Sequence, residues 1–164
     1  MALTLPASPV RLPIVKWKWR CFRDDQGTNV VIDWVTAKSK GGQARLKNAL
    51  DQLSQLEKQH WHKPQPSSSI GNHIYVIRFS DENRTQWRIY GHHKDAIRTF
   101  VLTNYGTERG NKYDPPVERC LALGTERMDW CAKHWNSSTC SCLSTGSAPG
   151  LSTTGQPASD GGCS

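Results

Sequence analysis

Between residues 74 and 103 the chain carries three segments that read as strands, joined by connections of only a few residues. Ile74–Phe79, Gln86–Tyr90 and Ala96–Thr103 are rich in β-branched and aromatic residues. The turn-forming runs Asp81-Glu82-Asn83-Arg84 and Gly91-His92-His93-Lys94-Asp95 separate them. A parallel pair needs a crossover of about a dozen residues, so links this short leave only antiparallel neighbours. The chain must therefore build around a three-stranded antiparallel meander.

What precedes the meander supplies its other layer. In Val15-Lys16-Trp17-Lys18-Trp19-Arg20-Cys21-Phe22, apolar and basic residues alternate, the period of a strand with one buried and one wet face. Helical periodicity then runs from about Val30 to Glu57, interrupted at Gly41-Gly42. In its second part Leu46, Ala49, Leu50, Leu53 and Leu56 recur at three- and four-residue steps, an apolar stripe that can pack on a sheet. His60-Trp61-His62 reads as surface at a helix end, and Lys63 to Ser69 as loop by composition. After the meander, residues 104–114 read as a polar loop. Asp114 can cap a helix whose first position is Pro115, and a second short helix is expected from Thr125 to about Trp135. The expected class is α+β: an N-terminal strand, a helical hairpin, a three-stranded antiparallel meander and short C-terminal helices. The folded domain is placed at 14–135, after an N-terminal extension at 1–13.

Residues 136–164 are a different kind of sequence, with no Lys or Arg and many Ser, Thr and Gly. Such a stretch cannot bury enough apolar area to offset its ordering entropy, so a disordered tail is expected there. It holds three of the six cysteines. The other three, Cys21, Cys120 and Cys131, are an odd set at unrelated spacings, read as buried or incidental thiols in a reducing compartment. No second ligand pair accompanies Cys140-Ser-Cys142, so neither a metal nor any other cofactor is expected. No apolar run approaches the roughly 18 residues of a membrane helix, and Met1 to Pro13 lacks the pattern of a secretory signal. A cytoplasmic protein with no membrane partner is the expectation.

The net charge of +7 favours a polyanion as partner, and it is uneven. Residues 1–70 hold 11 basic against 5 acidic side chains; residues 71–135 hold 10 against 8. Candidate RNA contacts in the basic half are Lys16 and Lys18 on the first strand, and Lys38, Lys40, Arg45 and Lys47 around the helical interruption. On the strand, the same lysines would equally serve to block edge pairing.

The residues suited to chemistry lie in and after the meander. Arg88 is presented by the central strand, on the face opposite Trp87 and Ile89. Arg78 lies on the first meander strand. Asn104-Tyr105-Gly106-Thr107-Glu108-Arg109-Gly110-Asn111-Lys112-Tyr113 brings a further arginine, a lysine and a tyrosine just past the third strand.

The order strand, two helices, three strands, with Tyr75-Val76-Ile77-Arg78 before Trp87-Arg88-Ile89-Tyr90, resembles the RelE/HigB-type toxins of toxin–antitoxin systems. The segment Gly106 to Tyr113 is similar to their basic Gly…Arg…Tyr segment. The resemblance covers roughly residues 13–123. It implies a phage-derived, RelE-like endoribonuclease that cuts mRNA, in many members on the ribosome, by attack of a ribose 2′-hydroxyl on the adjacent phosphate. It also implies a cognate antitoxin as partner. Arg88 then matches the central-strand arginine on the scissile phosphate, Arg109 a phosphate contact or leaving-group stabiliser, and Tyr113 the C-terminal tyrosine. Lys112 and Arg78 join them as neighbouring cations, since donors aimed at a phosphorane stabilise its growing charge. Where RelE-type members carry lysines in the first meander strand, this chain has Ile74 and Val76, which leaves His92 and His93 as candidates for the general base. Two alternatives share the fold: a ParE-type inhibitor of DNA gyrase, and a module that binds RNA or protein without chemistry. The seven tryptophans suit the second as stacking platforms.

Overall fold

The computed structural model describes residues 16–135 and the backbone of residues 140–142. In chain order the elements are β1 (Lys18–Phe22), α1 (Val30–Thr36), α2 (Lys40–Ser54), β2 (Ser67–Gly71), β3 (Ile74–Ser80), β4 (Gln86–Lys94), β5 (Thr99–Arg109), β6 (Lys112–Asp114), α3 (Val117–Lys133) and β7 (Cys140–Cys142). The class is α+β, with a mostly antiparallel sheet. The sheet runs β2-β3-β4-β5-β1-β7, and β6 pairs with the last residues of β5 beyond the stretch that β1 uses. Its parallel pair is β1 on β5, with Lys18 opposite Thr99.

Both faces of the sheet are covered, which is why so many strand residues are apolar on two sides. Val31 and Val35 of α1 and Leu46, Leu50 and Leu53 of α2 pack on Trp17, Trp19, Cys21, Ile77, Phe79, Ile89, Phe100 and Leu102. The expected alternation of β1 and the expected stripe of α2 both belong to this layer. On the other face α3 lays Cys120 against Ile74, Val76 and Tyr90, and Cys131 against Phe22 and Val101. Cys21, Cys120 and Cys131 are all buried.

The structure corrects the expected arrangement in several places. The meander is not the whole sheet: β2 adds a strand on β3 where Lys63 to Ser69 reads as loop. A serine run can do this because an edge strand is held by backbone pairing and needs only one side chain, Ser67, inside. The helical break falls at Ala37–Ser39, not at Gly41-Gly42. Ser39 caps α2 through the Gly42 amide and donates to Glu82 (2.6 Å) on the β3–β4 turn. Gly41 lies beside the Glu82 carboxylate, and a Cβ there would make that exposed side chain swing aside.

The remaining corrections lie further along. Trp61 is buried, inside a ring of Trp17, Trp19, Tyr75, His93 and Phe100. His92 and His93 lie within β4, not in a turn, so β4 and β5 run longer than the patterning gives them. The supposed loop at 104–114 is the end of β5 and its hairpin with β6, turning at Gly110-Asn111, both at positive φ. One long helix, α3, replaces the two short ones and starts after Pro116, not at Pro115. Its mid-helix Gly124 is a packing position against Ile74. Three residues of the expected tail, Cys140–Cys142, pair with β1; the rest of 136–164, and the extension at 1–13, lie outside the described residues.

Candidate active site

Strand alternation puts Arg78, Arg88 and Glu108 on the α3 face of the sheet, past the N-terminal end of that helix. Arg78 and Arg88 are direct partners in the β3–β4 register. Arg88 also stands opposite Gly106 on β5, which offers no side chain, and the next same-face residue along β5 is Glu108. The Arg88 Nη2 donates to Glu108 Oε2. That pair is well covered, with side-chain exposures of 9% for Arg88 and 21% for Glu108. The Tyr113 ring, brought by β6 opposite Glu108, lies 4.5 Å from the Arg88 guanidinium carbon. A ring face toward a cation is attractive, and here it also shields the guanidinium from water.

Two like charges face each other in this cluster. Arg78 Nη2 donates to Ser68 Oγ (2.6 Å) on β2, while its Nη1 and the Nε of Arg88 are buried without a hydrogen-bond partner. Burial, and then the charge of Arg88, holds the Arg78 guanidinium below the usual arginine range; Glu108 and Tyr113 act the other way. Behind Arg88, burial pushes the Tyr90 phenol upward and raises the Cys120 thiol as well, so both stay protonated near neutrality. Chemically the site offers two guanidiniums, one carboxylate and one exposed phenol. That set suits a phosphodiester: donors for the phosphate and a base beside them.

An open cleft of about 390 Å³ adjoins the cluster between the β3–β4 and β5–β6 turns. Arg84, Gln86, Glu108, Arg109 and Asn111 are among its lining residues. Glu108 therefore belongs to both places, to the buried guanidinium on one side and to the cleft on the other.

Of the five residues expected to carry chemistry, Arg78, Arg88 and Tyr113 come together. Arg109 lines the adjoining cleft. Lys112 pairs with Arg109 across the hairpin, and alternation turns it to the opposite face from Tyr113. Patterning does not single out Glu108, although its place two residues beyond Gly106 is the signal that finds it once the β4–β5 register is known.

The expected RNA contacts are scattered. Lys16 and Lys18 are exposed at the β1 end of the sheet, where Lys18 meets Thr99; Glu108 lies nine residues further along β5, about 30 Å away. Lys38 rests over the Trp34 and Trp87 rings (4.5 and 3.8 Å). Arg45 donates to Ser80 Oγ and Asp81 O (3.0 and 3.1 Å), and Lys47 pairs with Asp51. Lys40 is exposed at the start of α2. Lys38 and Arg45 thus brace the β3–β4 turn.

The histidines are placed poorly for a base. Burial first, and then Lys94, pushes His92 down to about 4; burial, then Lys58, pushes His93 down to about 3. His92 is four residues from Arg88 along β4, about 13 Å, and His93 points to the α1–α2 face among aromatic rings.

Compared with protein-family models, with curated proteins and with solved structures, the chain matches none of them. Among the described residues no helix is long and apolar enough to cross a membrane.

Proposed function

We propose that the chain is the toxin component of a toxin–antitoxin system of RelE/HigB type, an endoribonuclease that cuts mRNA by 2′-hydroxyl attack. The observation that carries this reading is the facing pair Arg78 and Arg88 with a carboxylate and a tyrosine over them, at the edge of an open polar cleft. Two guanidiniums with buried N–H groups unpartnered form a site short of negative charge, and a phosphodiester supplies it. Support also comes from the element order: β1, α1, α2 and the contiguous antiparallel β3-β4-β5 follow the order that the resemblance rests on, with β2, β6 and β7 as additions. On this reading the partners are mRNA, the ribosome and an antitoxin that covers the basic surface, and the protein works in the cytoplasm.

One observation favours a second reading, a ParE-type inhibitor or a binding module without chemistry. Glu108 and Tyr113 already occupy Arg88, as a purely structural ion pair would.

Primer-extension mapping of a defined mRNA in a bacterial cell-free translation reaction separates the two. The nuclease produces discrete cuts within translated codons, absent with an Arg109→Ala/Tyr113→Phe double variant. Intact mRNA at micromolar protein would overturn the nuclease reading in favour of the second.

A further inference from the structure

Resting on the nuclease reading, we infer that Glu108 is the general base of the reaction. The cluster needs an acceptor for the 2′-hydroxyl proton. Glu108 is the carboxylate placed against the Arg88 guanidinium. Tyr90 and Cys120 are held protonated by burial, and the guanidiniums, already charged, have no lone pair to take a proton. His92 lies about 13 Å along β4, and His93 faces the opposite layer.

Geometry assigns the role independently of any titration. A base must touch the nucleophile while the phosphate touches the cations. Glu108 is the carboxylate that both bonds Arg88 and lines the open cleft. A substrate in that cleft meets Glu108 without unpacking the sheet. The Arg88 bond fixes the position of the carboxylate. Tyr113, on a three-residue strand exposed throughout, is the part that must yield for a phosphate to reach Arg88.

The step balances as follows. The 2′-hydroxyl gives its proton to Glu108 as the 2′-oxygen bonds to the adjacent phosphorus. The P–O5′ bond breaks, and the departing 5′-oxygen takes a proton from water. The products are a 2′,3′-cyclic phosphate and a 5′-hydroxyl end, and Glu108 releases its proton to solvent. Arg78 and Arg88 face the charge that develops on the phosphorane oxygens.

The test uses the full chain with mRNA in translation extract, plus a fluorescent RNA carrying a 2′-deoxy block at the mapped cut for affinity. Glu108→Gln keeps an oxygen for Arg88 and removes the base. Expected are a loss of cleavage of about 100-fold or more, RNA affinity within about 2-fold of wild type, and a residual rate that no longer rises with pH as a carboxylate ionises. A role confined to holding Arg88 would instead weaken RNA affinity along with the rate. Wild-type cleavage with undiminished Glu108→Gln cleavage overturns the inference and leaves the nuclease reading standing. No cleavage by wild type removes both. If Glu108→Gln fails to fold, Glu108→Asp decides: it keeps the charge but draws it back by one methylene. Lost cleavage with retained affinity supports the base, and unchanged cleavage overturns it.

Discussion

Arg78 and Arg88 stand directly opposite each other on β3 and β4, two cations at one rung of a sheet, with Glu108 bonded to the second of them. Like charges at paired positions oppose folding, and the carboxylate offsets that. Glu108→Ala is expected to cost about 3 kcal/mol in urea denaturation, because it strands a covered guanidinium. Adding Arg78→Gln should return about 1 kcal/mol by removing the facing charge. A Glu108→Ala midpoint indistinguishable from wild type would mean the pair bears no such load.

Tyr113 contributes a ring to Arg88 and is itself exposed. Tyr113→Phe keeps the ring, so thermal stability should be unchanged. Tyr113→Ala should lose about 0.5–1 kcal/mol, the worth of a cation–π contact at a partly exposed site. Thermal melts of the two variants side by side make the comparison, and equal losses would refute the ring's role.

Trp61 is 1% exposed and touches five other rings of the α1–α2 layer. Trp61→Ala should cost about 3–5 kcal/mol, enough to leave much of the chain unfolded at 37 °C. Circular dichroism at graded temperatures reads this directly.

The buried histidines give the protein an acid limb that starts unusually high. Their folded-state values, about 4 for His92 and 3 for His93, lie below the ordinary 6.5, so the fold prefers them neutral. Their stabilisation is complete above pH 6.5 and is lost as pH falls toward 4 and then 3, because the unfolded chain takes up the protons first. The loss should reach a few kcal/mol by pH 4. Glu57, Asp81 and Glu82, all held below the usual carboxylate range, add losses in the same direction at lower pH. Between pH 6.5 and 5 the histidines therefore dominate, and His93→Phe should flatten urea-midpoint data over that interval.

Much of the layer structure was legible because it follows from single-chain periodicity. The alternation of Val15 to Phe22 and the stripe Leu46–Leu50–Leu53 each state which face is buried, and short links state which strands are antiparallel. What stayed hidden depends on pairing between distant residues. Alternation gave Arg88 a face but could not set Arg78 against it, since that needs the β3–β4 register. Glu108 was invisible for the same reason: only the register puts it diagonal to Arg88. Ser67 to Gly71 became a strand through the β3 edge, against its own composition. His93 and Trp61 read as polar surface because their neighbours in sequence are polar, whereas their neighbours in space are aromatic.

The parallel rung that joins Lys18 to Thr99 has a consequence for how the molecule is made. The strands from β2 to β5 each meet a partner close by in sequence, so that sheet can form as soon as it leaves the ribosome. The first strand is synthesised long before its partner exists, and closing so large a loop is entropically costly. Until then Trp17 and Trp19 lack the neighbouring strand that completes their layer, although α2 can already meet Ile77 and Phe79 of β3. Such a nascent chain offers sticky surface for most of its synthesis. Co-translational protection, not final stability, is thus where yield should be won or lost in any cell that makes it.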